Sequence, residues 1–152
     1  MREINEAGKK LIIEFEGLRF EPYRDSAGFL TIGIGHLVRP GEYFTRINAA
    51  QAEAMLNSDL ASARSTVERL VKTELNDNQF AALVSFTYNL GSGALERSTL
   101  LKLLNAGEIA RAADEFVKWA KVHDPKTHAV KVLPGLMRRR EAEALLFIKP
   151  QE

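Results

Sequence analysis

The stretch from Glu16 to His36 constrains the fold of this chain more than any other segment. It passes from the end of an amphipathic helix, through a turn, into a short glycine-rich hairpin. Glu16 closes the helix and Asp25 opens the turn sequence Asp-Ser-Ala-Gly, which has turn-favouring residues at both ends. Thr31 lies in an alternating run that is typical of a strand. A helix end, a turn and a strand can bring these three side chains around one small volume.

The two acidic residues of this stretch are expected to have different protonation states. Hydrolysis of a glycosidic bond needs one protonated and one ionised carboxyl group. Glu16 precedes Gly17, a residue favoured where helices end, and both the helix dipole and burial there favour the protonated acid. Asp25, in a polar turn, is expected to stay ionised, and the Thr31 hydroxyl could orient a water molecule against it. On spacing alone, exposed acids and an ordinary strand threonine remain an alternative, because most acidic residues are exposed.

Longer motifs connect this stretch with most of the chain. They are Glu16-Gly-Leu-Arg, Tyr23-Arg-Asp25, Gly28-Phe-Leu-Thr-Ile-Gly-Ile-Gly-His36, the run from Leu75 to Gly91, and Pro134-Gly-Leu-Met-Arg-Arg-Arg-Glu141. Together they resemble the phage-type lysozymes, the endolysin muramidases of glycoside hydrolase family 24. The resemblance implies cleavage of the β-1,4 bond between N-acetylmuramic acid and N-acetylglucosamine in peptidoglycan, in the lysis of a bacterial host. It also implies that Glu16, Asp25 and Thr31 are catalytic and that the reaction inverts the anomeric carbon.

The same resemblance implies that Leu37, Tyr88 and Thr99 contact the substrate. From the residues alone, Tyr88 is equally well a core tyrosine with a bonded hydroxyl. His36 is expected to be structural, because no metal-ligand spacing surrounds it. Gly33 and Gly35 interrupt the predicted strand, which indicates either tight packing or room for a sugar to approach the backbone. We expect no metal site and no cofactor.

Apolar residues at helical spacing predict helices over 3–16, 48–72 and 76–90. An asparagine stands near the start of each as a candidate N-cap: Asn5, Asn48 and Asn76. The run over 76–90 is apolar almost all round, so it is the candidate central core helix. A break is expected at 91–93.

The last third of the chain is predicted to be helical on both sides of a loop. Residues 99–104 and 108–119 have helical patterns, and Trp119 continues an apolar stripe, so we expect it in the core and not on a sugar. Residues 122–132 are expected to form a polar, basic loop. Pro134 suits the first position of a final helix.

Three consecutive arginines, Arg138, Arg139 and Arg140, follow in this final helix. We expect two of the three to form a solvated basic face. Arg140 shares the spacing of an apolar stripe, so it needs a carboxylate partner. We also expect one of the three to reach Glu16 and favour its ionised form, but the sequence leaves open which one.

These patterns predict an α+β, mainly helical fold, and the resemblance implies that it is of the lysozyme kind, with two lobes that flank a cleft and are joined by a linking helix. A β-hairpin lobe is expected over 17–47, a linking helix over 48–72, and a helical lobe from 1–16 and 73–152. A chain of 152 residues fits this single domain.

Composition limits the remaining function classes. No apolar run approaches the roughly 20 residues of a membrane span, and we expect no signal peptide and no stable membrane association. The lack of cysteine suits a reducing compartment, and we expect a monomer. The resemblance, together with the missing export signal, implies an enzyme that stays in the host cytoplasm until a holin lesion lets it reach peptidoglycan. A net charge of +1 and no recognised DNA-binding module argue against nucleic acid. A lytic transglycosylase and a non-catalytic wall-binding module remain the alternatives.

Overall fold

A computed structural model describes residues 2–25, 27–124 and 126–151. The first half contains α1 (Glu6–Glu16), β1 (Arg19–Arg24), β2 (Leu30–Gly33), β3 (His36–Leu37), α2 (Ala49–Leu70) and α3 (Asp77–Leu90). The second half contains α4 (Ser92–Arg97), α5 (Thr99–Asn105), α6 (Ile109–Ala113), a 3-10 helix (Phe116–Trp119), β4 (Lys121–His123), β5 (Val130–Val132) and α7 (Pro134–Ile148). The fold is α+β and mainly helical, as predicted.

Helix α1 is fixed at both ends by the residues that the sequence indicates. The Asn5 side chain accepts a hydrogen bond from the backbone N–H of Gly8, which caps the first turn. Gly17 ends the helix with a φ of +80°, and its N–H donates to the Ile13 carbonyl at 2.8 Å. Glu16 is therefore the last residue of a rigid helix.

Helix α3 is the central core helix, as its apolar pattern predicts. It packs against α1, α2 and α7. Phe80, Leu83 and Phe86 on this helix are at most 1 % exposed. Both α2 and α3 begin with capping boxes, built on Asn48 and Asn76, so the two predicted starts are confirmed.

Strands β1, β2 and β3 form an antiparallel sheet in that order, and β2 and β3 pack against α2. Tyr23 pairs with Thr31, and Thr31 pairs with Leu37. Directly paired residues point to the same face of a sheet, so these three side chains share one face. The predicted turn after Asp25 includes Ser26, which lies outside the described residues; the N–H of Gly28 donates to the Asp25 carbonyl at 2.9 Å.

Two predictions in the second half are wrong in detail. The break at 91–93 is confined to its first residue, because α4 begins at Ser92. The predicted single helix over 108–119 is divided into α6 and the 3-10 helix. The tighter winding accompanies the burial of Phe116 and Trp119, whose rings lie 5.6 and 5.7 Å from the ring of Phe86. Trp119 therefore packs in the core, as expected.

The predicted basic loop over 122–132 is also wrong, because β4 and β5 pair there as a short hairpin. Each strand has only three residues, and all six are exposed. Such strands carry too few residues for an alternating apolar pattern to be recognised. Among the described residues, no helix is both long and apolar enough to cross a membrane.

Candidate active site

A cleft of about 600 Å³ lies between the end of α1, the sheet and the end of α3. Its wall includes Glu16, Asp25, Leu37 and Tyr88, four of the six residues that the sequence assigns to the site. The two acids are nine positions apart on different elements, and the turn that follows β1 brings Asp25 back towards the helix end. The structure therefore places both carboxyl groups on one open cavity.

Glu16 is paired with one arginine of the final helix. Its Oε2 atom accepts a hydrogen bond from Arg139 Nη1 at 2.7 Å, and its side chain remains 22 % exposed. The structure thus identifies Arg139 as the arginine that the sequence left open. This ion pair holds the Glu16 side chain at the end of α1.

The expectation that two of the three consecutive arginines lie on the solvated surface is wrong. Arg139 and Arg140 are 4 % and 0 % exposed, and only Arg138 lies on the surface. Both buried guanidinium groups are compensated by carboxylates, which is what allows them to leave water. The expected carboxylate partner of Arg140 is confirmed and is Glu143.

The Glu16 carboxyl group packs directly on the backbone of Gly35. This glycine has a φ of +71°, and a Cβ atom built on it would lie 2.7 Å from Glu16 Oε1. Gly35 lines the cleft as well. Of the two explanations for the strand glycines, tight packing therefore applies at Gly35, where a side chain would displace the acid.

Asp25 is held by the turn that it opens. Its Oδ1 atom accepts hydrogen bonds from the backbone N–H groups of Ala27 at 2.9 Å and Phe29 at 2.8 Å. This is an Asx-type arrangement, and it fixes the carboxylate at the cleft wall without use of a charged partner.

Thr31 and Thr99 lie differently from the other predicted site residues. Thr31 is 2 % exposed, and its hydroxyl donates to the Phe29 carbonyl at 2.9 Å. It stands on the same sheet face as Leu37, which lines the cleft, but it is itself behind the wall. Thr99 is an exposed residue at the start of α5 and is not in the cleft wall. Their roles stay predictions.

Two tyrosines lie next to the acids. Burial raises the pKa of Tyr88, with Asp59 and Glu16 acting in the same direction. Burial also raises the pKa of Tyr23, and Glu16 and Asp25 add to the effect while Arg19 opposes it. Both hydroxyls are therefore neutral donors near neutral pH. Tyr23 was part of a recognised motif, yet its place beside both acids follows only from strand pairing.

His36 is a buried structural residue, as expected. Its Nδ1 lies 2.7 Å from Asp59 and its Nε2 lies 3.0 Å from Glu42. The backbone N–H of Arg39 lowers the pKa of Glu42, followed by the hydrogen bond to His36. These contacts tie β3 to α2 along the cleft. Neither Glu42 nor Asp59 could be recognised as a partner of His36 from the sequence, because neither stands at a metal-ligand or catalytic spacing from it.

A buried carboxylate behind Glu16 was also missed. Glu143 is fully buried, and its Oε2 accepts from the Ser85 hydroxyl at 2.6 Å and from Arg139 Nε at 3.4 Å. Burial raises the pKa of Glu143, and Arg140 and Arg139 oppose this effect. Three donors converge on the group, as they do on an ionised carboxylate. Its spacing of three and four residues after two arginines on one helix is the signal that could have found it.

Comparison with known proteins gives a consistent family. The family model described as Phage lysozyme matches residues 13–143. An endolysin of Bacillus phage B103 is 42 % identical over 147 residues, which cover 95 % of this chain and 54 % of that protein. An endolysin of Acyrthosiphon pisum secondary endosymbiont phage 1 is 41 % identical over 148 residues, covering 95 % of this chain and 97 % of the relative. The chain thus spans about half the length of the first relative and nearly all of the second.

A solved structure has the same fold. The muramidase domain of SpmX from Asticaccaulis excentricus superimposes with a TM-score of 0.88 and 37 % sequence identity. The match covers 99 % of this chain and 100 % of that domain. The helices and the sheet that position the cleft are therefore shared with a muramidase domain.

Proposed function

This chain belongs to the phage lysozyme family, and from its cleft we propose that it is a muramidase that cleaves the β-1,4 bond between N-acetylmuramic acid and N-acetylglucosamine. The observation that carries the proposal is that Glu16 and Asp25 line one open cleft. A pair of carboxyl groups on either side of a glycosidic bond is the usual equipment for its hydrolysis.

In the proposed reaction, Glu16 donates a proton to the glycosidic oxygen as the bond breaks. Substrate in the cleft would displace water from Glu16, and this desolvation favours the protonated acid. Asp25 accepts a proton from a water molecule that attacks the anomeric carbon. The Thr31 hydroxyl helps to orient that water by accepting a hydrogen bond from it, while its own hydrogen stays on the Phe29 carbonyl. The attack from the opposite face inverts the configuration.

Three further residues are proposed to hold the sugars. Leu37 is 52 % exposed on the cleft wall, so it offers apolar surface to a sugar ring. The neutral hydroxyl and ring of Tyr88 offer a donor and a stacking surface. Thr99 stays a weaker part of the proposal, since it is exposed but lies outside the cleft wall.

We also propose the two-lobe division, with the sheet over 17–47 as one lobe, α2 as the link and the remaining helices as the other lobe. Further parts of the proposal are a monomer and a cytoplasmic enzyme that reaches the wall through a holin lesion. The similarity to phage endolysins supports this route. Release of cell contents from intact bacteria that express the protein, with and without a pore-forming partner, tests it; lysis without the pore contradicts it.

The test of the activity compares purified cell walls treated with the wild type and with Glu16→Gln. We expect the wild type to clear the suspension and release reducing muramic acid ends, and the variant to lose at least about 100-fold in rate. Glu14→Gln is the matched control, because Glu14 is an exposed acid on the same helix. Equal clearing by Glu16→Gln refutes the assignment.

The products separate the remaining alternatives. Proton NMR of the fresh product distinguishes inversion from retention. A 1,6-anhydro product indicates a lytic transglycosylase, and wall binding without any released sugar indicates a binding module.

A further inference from the structure

The carboxylate of Glu143 has no part in the proposed reaction, yet it contacts the arginine that pairs with the proposed acid. The guanidinium group of Arg139 is divided among three partners. Nη1 donates to Glu16 at 2.7 Å, Nε donates to Glu143 at 3.4 Å, and Nη2 donates to the Ser85 hydroxyl at 3.3 Å. One edge of Arg139 is thus fixed in the core, and the other edge pairs with Glu16, which lines the cleft.

Arg140 supplies a second positive charge on the far side of Glu143. Its Nε lies 2.8 Å from Glu143 Oε1, and its Nη2 donates to Asn89 at 2.7 Å. Its guanidinium carbon stands 5.3 Å from the centre of the Phe86 ring. From the cleft inward, the charges alternate in sign: Glu16, Arg139, Glu143, Arg140. The row has no net charge when both acids are ionised.

This arrangement determines how strongly Arg139 favours the ionised form of Glu16. If Arg139 faced Glu16 alone, its whole charge would stabilise a carboxylate that cannot donate a proton. Glu143 does not weaken the attraction between Arg139 and Glu16, but its buried negative charge lies against the same guanidinium group and itself opposes ionisation of Glu16.

Resting on the proposed role of Glu16 as the acid, we propose that Glu143 is a positioning residue whose buried negative charge offsets the positive charge of Arg139 at Glu16 and so keeps Glu16 able to carry a proton. Glu143 does not touch the cleft; it acts through Arg139.

Other groups also face this row. Tyr23 and Tyr88 stand beside Glu16 as neutral hydroxyls, and the carboxylates of Asp25 and Asp59 belong to the cleft wall. On the core side, α3 contributes Ser85 and Asn89. The 3-10 helix packs on α7 through the aromatic ring of Phe116, which stacks on Phe147. None of these groups is changed in the experiment below.

The test is the pH dependence of wall hydrolysis by Glu143→Gln, which removes the charge and keeps the shape. We expect the falling limb of activity, at the pH where the acid loses its proton, to move about one pH unit lower. At a pH above this limb, activity should fall about tenfold, and at a pH well below it the rate should return to that of the wild type. Arg139→Gln should move the same limb in the opposite direction, to higher pH.

Glu141→Gln is the matched control, because Glu141 is an exposed acid on the same helix. Its limb should remain within about 0.2 pH unit of the wild type, since an exposed charge is screened by solvent. If Glu143→Gln does not fold, Arg140→Gln is used in its place, and the falling limb of activity is then expected to move to higher pH. The reason is that loss of Arg140 removes a positive charge that offsets Glu143, so the negative charge of Glu143 opposes ionisation of Glu16 more strongly.

A second measurement keeps this proposal separate from the proposed function. The ionisation of the Glu16 carboxyl group is followed directly by ¹³C NMR in the wild type and in Glu143→Gln. A lower titration midpoint of Glu16 in the variant supports the coupling between Glu143 and Glu16. If the midpoint is lower but the wild type fails to clear walls, only the proposed activity is wrong. A folded variant with an unchanged midpoint, or one that moves in the same direction as Arg139→Gln, overturns the proposal.

Discussion

Replacement of Gly35 by alanine should disable the cleft far more than it destabilises the protein. The added Cβ would lie 2.7 Å from Glu16 Oε1 and 3.1 Å from Glu16 Cδ, so the carboxyl group must move by about 0.7 Å to reach ordinary contact. A misplacement of about 1 Å at a reacting group can cost about 100-fold in rate. We therefore expect Gly35→Ala to lower the rate of wall hydrolysis by about 10- to 100-fold.

The expected loss of stability is smaller and has a separate cause. Gly35 has a φ of +71°, and a residue with a Cβ in this left-handed region costs about 1–2 kcal/mol. For a chain of this size, each kcal/mol lowers the melting temperature by about 2–4 °C. The protein should therefore stay folded at the temperature of the assay.

Gly33→Ala is the matched control for this prediction. Gly33 has nearly the same backbone angle, with a φ of +68°, but a Cβ there meets its nearest neighbour, a methyl carbon of Ile47, at an ordinary 3.5 Å. Both variants should lose similar stability in urea titrations, and only Gly35→Ala should lose most of its turnover on purified walls. Equal activities of the two variants would refute the argument that the Gly35 backbone positions Glu16.

The other contacts give three further predictions. Asp59→Asn should lower the free energy of unfolding by about 2–3 kcal/mol in urea titrations, because it removes the carboxylate at Nδ1 of the buried His36 ring and leaves only Glu42 at Nε2. The pKa of Glu42 is lowered in the folded state, so its contribution to stability is present above its ordinary value of 4.5 and is lost as the pH falls below it. Between pH 6 and pH 3, the melting temperature of Glu42→Gln should therefore fall less than that of the wild type. Parallel plots of melting temperature against pH for the two proteins would contradict this. Phe86→Ala should cost about 3–5 kcal/mol, since this fully buried ring contacts two other aromatic rings, and a loss of under 1 kcal/mol would show that the core there can collapse.

The local features of the fold were predictable because their causes are local. Asn5, Asn48 and Asn76 cap helices through contacts with residues three positions away, and Gly17 ends α1 by its own conformational freedom. These effects need no knowledge of the rest of the chain. The same is true of the apolar pattern that places α3 in the core.

The failures concern features that depend on distant parts of the chain. The division of residues 108–119 follows from the packing of Phe116 on Phe86, thirty positions away in sequence. The β4–β5 hairpin is held by pairing between two exposed segments without an apolar pattern. The apolar stripe indicated a carboxylate partner for Arg140, but the burial of Arg139 could not be recognised, because arginine is ordinarily a surface residue and its compensating carboxylates, Glu16 and Glu143, become visible only in the fold.

The candidate site divides in the same way, and this explains why the proposed acid was easier to find from the sequence than the charged groups that surround it. The position of Glu16 is set by a helix end that the sequence shows, whereas its charge balance is set by Arg139, 123 positions away, and by Glu143 behind it. Under the proposed mechanism, the negative end of the helix dipole and the charge of Glu143 act on Glu16 against the positive charge of Arg139. An acid that must give up a proton and regain it in each cycle requires these influences to be close to balance. A second buried carboxylate on the same arginine is a physical means of reaching that balance without removing the arginine that holds the side chain in place.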